Sequence, residues 1–292
     1  MLAASRREAR DLVTLAREAV SAVDALLADA IHAVRARVSS EGHAAGPLID
    51  REQRATHGLA WLATYVEAVR QLASYVERMR DAGRLGELEE LLVRIGLGEY
   101  LAQIEGGIPM SQGEFVRAAD LGLARDAVAA RMTGAVAELV ASGNTPEHRA
   151  RLVELMRARH AATVGDCGLD ETLEAIRDEM RKFADSEIAP HAHNWHRSNS
   201  YIPMEIIAHC AELGVFGLTI AEEYGGMGLG KESMCVVSEE LSRGFIGVGS
   251  LGTRSEIAAE LILSGGTEAQ KQKWLPKIAS GEVLPTAVFT EP

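Results

Sequence analysis

The sequence predicts an all-α protein built as two helical bundles, with a lone strand at its end. Three observations carry this. Apolar residues recur at helical spacing along most of the 292 residues, where a half-buried strand would need strict alternation. Helix formers (Ala, Leu, Glu, Arg) dominate a composition that is 47% hydrophobic and only 4% aromatic. One short stretch, Val164-Gly165-Asp166-Cys167-Gly168, has two glycines and no apolar period, and it marks a hinge between a domain at 1–165 and a second at 166–286.

The elements follow in order. Leu12, Leu15, Ala19, Val23, Leu27, Ile31, Val34 and Val38 make one apolar stripe on a first helix, closed by Ser39-Ser40-Glu41-Gly42. A polar loop is expected to Thr56. A second helix carries Leu59, Leu62, Val66, Val69, Leu72, Val76 and Met79 and stops at Asp81-Ala82-Gly83. Leu88, Leu91, Leu92 and Ile95 give a shorter third, closed by Gly96 and Gly98. After the break at Glu105-Gly106-Gly107-Ile108-Pro109, Ser111 and Glu114 have capping-box spacing. One helix is expected through Val128, Met132, Val136, Leu139 and Val140, and another from Thr145-Pro146 as N-cap and N1.

Beyond the hinge, Leu173, Ile176, Met180 and Phe183 mark a helix ending before Pro190. Ile202–Leu213 is a helix stopped by Gly214, and Val215–Ile220 reads as a buried extended segment. Residues 221–230 hold four glycines and form a loop. Helices follow near Met234–Leu241, Ser250–Leu263 and Thr267–Ile278, the last opened by a Thr267/Gln270 capping box. Thr286 to Phe289 is the strand.

Composition excludes several function classes. A formal charge of −12 argues against a general nucleic-acid binder, which needs a clustered basic surface. Cys167, Cys210 and Cys235 are odd in number and unpatterned, which fits a reducing compartment. The N-terminus lacks a secretory n-region and h-region, and no apolar run approaches the about 20 residues of a membrane span, so cytoplasmic residence without membrane or nucleic-acid partners is expected.

Candidate chemistry is sparse. His191, His193 and His196 cluster after a helix-ending proline, but their spacing does not place ligands on one helix face. A solvated helix end with Trp195 packed inward is the expectation, with no metal. Glu222-Glu223 and Glu239-Glu240 are adjacent pairs that do not face each other on a helix, so they read as surface charge rather than an acid/base pair. Gly225-Gly226-Met227-Gly228-Leu229-Gly230-Lys231 fails the spacing of a phosphate-binding P-loop and reads as a tight turn needing positive φ. Arg254, near the start of an apolar helix, is either exposed, paired with Glu256 or Glu260, or aimed at an anionic group that its planar fork suits.

Four motifs stand in order. They are Glu222-Glu223-Tyr224-Gly225-Gly226-Met227-Gly228, Glu239-Glu240-Leu241-Ser242-Arg243, Gly266-Thr267-Glu268-Ala269-Gln270-Lys271 with Trp274-Leu275-Pro276 and Ala279-Ser280-Gly281-Glu282, and Thr290-Glu291-Pro292. Over residues 169–292 the chain resembles the acyl-CoA dehydrogenase family, with Ala221 where the family usually has proline. Residues 1–165 lie outside an ordinary member. A long helical extension of this kind, with Gly107-Ile108-Pro109-Met110-Ser111-Gln112 and the helix around Trp61, is similar to that of an unusual bacterial branch.

The resemblance implies a helical N-terminal extension (1–165), the family's N-terminal α domain (166–286) and the opening strand of its flavin-binding β domain (287–292). It implies a flavin (FAD) enzyme that places an α,β double bond in a short branched or dicarboxylic acyl-CoA substrate. Electrons would pass to electron-transfer flavoprotein, and the assembly would be a homodimer or homotetramer. Phe289 and Thr290 fall on the strand whose counterparts line the flavin; Ala287 departs from the aromatic frequent there. Thr253 and Arg254 fall on the helix flooring the acyl pocket, where Arg254 would pair with the free carboxylate of a dicarboxylyl-CoA such as methylsuccinyl-CoA. No catalytic residue is assigned, because the family's glutamate base lies in a later domain. This sequence alone is therefore expected to be inactive without the remaining segment of the same enzyme. The rival readings are a flavin oxidase of the same fold and a non-catalytic helical interaction or oligomerisation module.

Overall fold

The computed structural model describes residues 11–40, 42–159 and 165–286. The chain divides into two compact units, Met1–Gly168 and Leu169–Pro292.

In the first unit, Asp11 caps α1 (Leu12–Val38) by accepting the Thr14 N–H at 3.3 Å. A minimal hairpin of β1 (Ser39–Ser40) and β2 (His43–Ala44) leads into α2 (Gly46–Arg51) and α3 (Gln53–Asp81). Then come α4 (Glu87–Gly106), a second hairpin of β3 (Ile108–Ser111) and β4 (Glu114–Val116), and α5 (Arg125–Arg131), α6 (Ala135–Ser142) and α7 (Pro146–Arg159). Helix α1 packs on α3, α3 on α4, and α4 on α6 and α7. The core joins Ala16, Ala19 and Val23 to Val66, Val69, Leu97, Leu101 and Leu139. Alanines in that list let α1 approach its neighbours closely.

Several sequence expectations are corrected here. Ile31 is 46% exposed and Ala30 is buried in its place. Steps of four overshoot a 3.6-residue turn, so the inward face advances by three after Leu27. The polar loop expected to Thr56 contains the first hairpin, α2 and the start of α3. Gly96 and Gly98 do not close a helix; α4 runs through both. A Cβ on Gly98 would lie 2.8 Å from the Asn144 N and 2.9 Å from the Leu139 carbonyl oxygen, so this glycine serves the close approach of α6. Ser111 and Glu114 do not form a capping box but pair across the second hairpin, because Gln112-Gly113 reverses the chain and alternating Phe115-Val116 follows. The single helix expected through Val128–Val140 is split into α5 and α6 at Gly134, which adopts φ 57°. Thr145 does cap α7, accepting the His148 N–H at 3.2 Å.

The segment read as a hinge is tied to the first unit. Glu89, 2% exposed, accepts the Asp166 N–H at 3.1 Å and an Arg159 N–H at 3.2 Å. Arg84 forks onto the Asp166 carboxylate at 2.5 and 2.7 Å, and the Tyr75 hydroxyl donates to the Asp166 carbonyl. Burial first, then Glu89 and Asp166, push the Tyr75 phenol up to about 12, so it stays a donor.

In the second unit, Asp170 caps α8 (Glu171–Phe183) by accepting the Leu173 N–H at 2.8 Å. The helix does not end before Pro190. It widens into a π turn at Ala184–Ile188 and continues as α9 (Ala189–Ser198), and the wider turn accommodates a residue with no N–H to give. Next are α10 (Met204–Glu212), a short 3-10 turn (Glu222–Tyr224), α11 (Lys231–Gly244), α12 (Ile246–Gly265) and α13 (Glu268–Ala279). Thr267 and Gln270 form the expected reciprocal capping box on α13. Val215, Phe216, Leu218 and Ile220 are buried as expected, but in turns rather than an extended segment. One core joins Phe183, Ile188, Leu218, Val237, Leu241 and Val248; another joins Ile220, Tyr224, Ala259, Leu275 and Ile278.

The close approach at Gly98 gives a stability prediction. Gly98→Ala is expected to cost about 1–3 kcal/mol, since the new methyl meets backbone that cannot rotate away. Gly113→Ala, with open space around it, should be near neutral. Urea unfolding of both variants measures the difference.

Candidate functional site

The glycine loop is a packing device. Met227, Gly228 and Leu229 donate their N–H groups to the carbonyls of Gly217, Ile220 and Leu218 at 2.8–2.9 Å. A Cβ on Gly226 would fall 2.1 Å from the Ile220 carbonyl oxygen, so no side chain fits. Gly225 and Gly228 adopt φ of 80° and 63°, the turn geometry the sequence implied. Those three loop amides are already bonded and cannot cradle a phosphate. Tyr224, in the preceding turn, donates to Glu268 at 3.1 Å.

Helix α12 places the two predicted substrate residues. Its inner face is small: Gly249 lies against Ser242, and Gly252 against Val215. Val248, Ser255 and Ala259 complete that buried side. The opposite face carries Ile246, Arg254, Ile257 and Leu261, all exposed. Thr253 sits at the border, half-buried, and its hydroxyl donates to the Ser250 carbonyl at 2.8 Å. Arg254 donates to the Ser250 hydroxyl at 3.0 Å. Among the described residues no carboxylate pairs with Arg254. Glu256 and Glu260, its candidate partners in the sequence, hold the Lys231 ammonium, and Glu256 also takes the Thr219 hydroxyl. Partial burial pulls that ammonium down, but the bonds from Glu256 and Glu260 outweigh it and hold Lys231 charged.

Beyond Leu261 the same face opens into a groove of about 570 Å³ between α12, α13 and the chain at Val283–Pro285. Ile262, Trp274 and Ile278 give it a mainly apolar lining. An apolar helix face with one guanidinium suits a ligand of mixed character, an acyl chain with an anionic end.

Glu240 was misread. It is not surface charge: it is 1% exposed and accepts from Arg181 at 2.5 and 3.2 Å and from Arg243 at 2.9 Å. Arg243 also reaches Asp185 in the π turn at 2.8 Å. Burial pushes the Glu240 carboxyl up, yet the two guanidiniums prevail and hold it below the usual range. Its signal was present in the sequence, as an arginine one helical turn along. Trp195 packs into the core and meets Phe245 edge-on at 5.9 Å, while His191, His193 and His196 lie along α9. Among the described residues no three His, Cys, Asp or Glu side chains gather to hold a metal, and no helix is long and apolar enough to cross a membrane. Ala287, Phe289 and Thr290 lie outside the described residues.

Residues 170–282 match the protein-family model for the acyl-CoA dehydrogenase N-terminal domain. The second unit thus carries a match to that family's N-terminal domain along most of its length. The chain is 59% identical over 283 residues to (2S)-methylsuccinyl-CoA dehydrogenase of Cereibacter sphaeroides, covering 97% of this chain and 51% of that protein. It is 36% identical over 126 residues to mitochondrial isovaleryl-CoA dehydrogenase of Solanum tuberosum, covering 42% of this chain and 30% of that one. Against glutaryl-CoA dehydrogenase of Desulfococcus multivorans it is 36% identical over 135 residues, covering 44% and 33%. The chain thus spans about half the length of the first relative and a third of the others.

The Glu240 cluster yields a pH prediction. Its carboxyl titrates lower folded than unfolded, so its contribution is present above the unfolded value of about 4.3 and is lost as pH falls through the folded one. Glu240→Gln is expected to cost about 3 kcal/mol at neutral pH, the low end for a broken buried pair because both arginines keep some solvent access. The gap between native and variant urea midpoints should close as pH drops below the ordinary carboxylate range.

Proposed function

We propose that this chain is the N-terminal part of an FAD-dependent acyl-CoA dehydrogenase that oxidises (2S)-methylsuccinyl-CoA to mesaconyl-CoA. One observation carries the reading: the 59% identity runs through both units, whereas the isovaleryl-CoA and glutaryl-CoA relatives match less than half of the chain. The rival reading of residues 1–165 as a free-standing interaction module loses support for the same reason. The division into an extension at 1–165, an α domain at 166–286 and a β-domain start at 287–292 belongs to this proposal. So do electron-transfer flavoprotein as acceptor, a homodimeric or homotetrameric assembly, cytoplasmic residence and completion by the remaining segment of the enzyme.

Within the described residues the chain's contribution is to bind and orient. The exposed face of α12 offers Ile257 and Leu261 to the carbon chain and Arg254 to a terminal carboxylate. A bidentate guanidinium grip would fix the end of the substrate remote from the reacting carbons, and so set their position. Thr253, whose hydroxyl already donates to Ser250, contributes its methyl and its remaining acceptor capacity. FAD, when bound, takes up the hydride removed from the β carbon. The described residues do not form a dinucleotide cradle, so no step through the flavin is assigned to them; Phe289 and Thr290 remain the proposed contacts.

The test uses the enzyme completed to the relative's length. Its flavin absorbance should bleach anaerobically with methylsuccinyl-CoA and not with isovaleryl-CoA. A colourless protein, or equal bleaching by both, would overturn the assignment. Arg254→Met is expected to lower kcat/KM on methylsuccinyl-CoA by about 10–100-fold, the loss of a charge-assisted hydrogen bond, while sparing an uncharged acyl-CoA. Unchanged kinetics would remove Arg254 from the site.

A further inference from the structure

The first unit contains a pocket that the dehydrogenase reading does not use. The end of α4, the 117–123 segment and α5 enclose about 410 Å³, within the size range of small-molecule sites. Ala118, Leu123 and Val128 make an apolar floor. Three charged side chains, Arg117, Arg125 and Glu105, stand around it.

The two arginines are unusual in their surroundings. Nearby Arg37, Arg54 and Arg131 each hold a carboxylate: Glu52, Asp120 and Asp29. Among the described residues neither Arg117 nor Arg125 has an ion-pair partner. Asp120, three residues on from Arg117, is already committed. Asp120 accepts the Arg117 backbone N–H at 2.8 Å and the Arg54 side chain at 3.4 Å. That backbone bond first, then Arg54, holds the Asp120 carboxyl below its usual range against partial burial. The Arg117 guanidinium stands 5.8 Å above the Phe115 ring, makes no salt bridge among the described residues, and adds its charge to the field that lowers Asp120. The charged side chains lining the pocket, two arginines against Glu105, leave it net positive in a chain of net charge −12.

We propose that this pocket binds a small organic oxyanion, a carboxylate or phosphate monoester carried on a short apolar body. Arg117 and Arg125 grip the charged head, and the body rests on Leu123 and Val128. Glu105, on the same wall, opposes excess negative charge and so disfavours more heavily charged ligands.

Titration calorimetry on the whole chain tests this with three probes: phenyl phosphate, benzoate and inorganic phosphate. Phenyl phosphate or benzoate should bind saturably and more tightly than inorganic phosphate, and which of them binds better identifies the head group. Arg117→Gln and Arg125→Gln should each weaken binding by about tenfold or more, one charge-assisted hydrogen bond apiece. Glu105→Gln should tighten it several-fold, a sign that a merely structural role would not produce. Arg157→Gln, on α7 and outside the pocket, should leave it unchanged. Circular dichroism of each variant confirms the fold. No saturable binding of any probe, equal affinity for inorganic phosphate, or equal losses in Arg117→Gln and Arg157→Gln would each overturn the proposal.

Discussion

The second unit depends on one buried carboxylate. Glu240 draws Arg181 from α8 and Arg243 from its own helix to a single point, and Arg243 extends the link to Asp185 in the π turn. Taking a carboxylate out of water costs several kcal/mol unless its lone pairs are filled, so this position tolerates only the arrangement that fills them. Helix α11 is fixed in rotation as a result. Two residues on, Ser242 meets Gly249, and α12 can sit against α11 only where it has no side chain. The face that α12 turns outward, with Arg254 among apolar residues, is the consequence. The chain of cause runs from an ion cluster to a helix rotation to the chemistry of a surface.

The first unit repeats the device with different partners. Glu89 is as deeply buried as Glu240, but it holds an irregular segment rather than a helix. Its bond to the Asp166 N–H, with Arg84 and Tyr75 on the same residue, replaces the backbone pairing that 165–168 lacks as a loop. A loop without regular structure must satisfy its polar groups one by one, and here Glu89, Arg84 and Tyr75 do so together.

What was legible in the sequence was whatever local chemistry decides alone. The Thr267/Gln270 box, the Thr145-Pro146 start and the αL glycines of the 225–228 turn needed no knowledge of tertiary contacts. The failures share a cause. Ser111 and Glu114 have the same spacing as Thr267 and Gln270, yet Gly113 inside the would-be first turn and the alternation after it favour a hairpin. Gly98 looks like a stop until α6 is placed against it, and Glu240 looks like surface until Arg181 arrives from 59 residues away. The candidate substrate residues Thr253 and Arg254 were indicated by the resemblance of their helix to the one that floors the family's acyl pocket. Their orientation was not, because it is set by Gly249 and Ser242 across the α11–α12 contact.

Arginine pairing explains why so few residues stand out as ligand-seeking. With 42 acidic against 30 basic side chains, many guanidiniums hold a carboxylate, Arg70, Arg84 and Arg151 among them. Solvent-exposed pairs of this kind contribute little stability, about 0–1 kcal/mol each. They nevertheless neutralise charge locally, which leaves any unneutralised cation as the feature an anion would sense. Glu256 and Glu260, two and six residues on, lie off the Arg254 side of α12 and hold Lys231, while Asp120 bonds a backbone amide and Arg54 and makes no salt bridge to Arg117. An unpaired guanidinium beside exposed or half-buried apolar surface is the arrangement that favours a ligand carrying both charge and hydrocarbon over either alone.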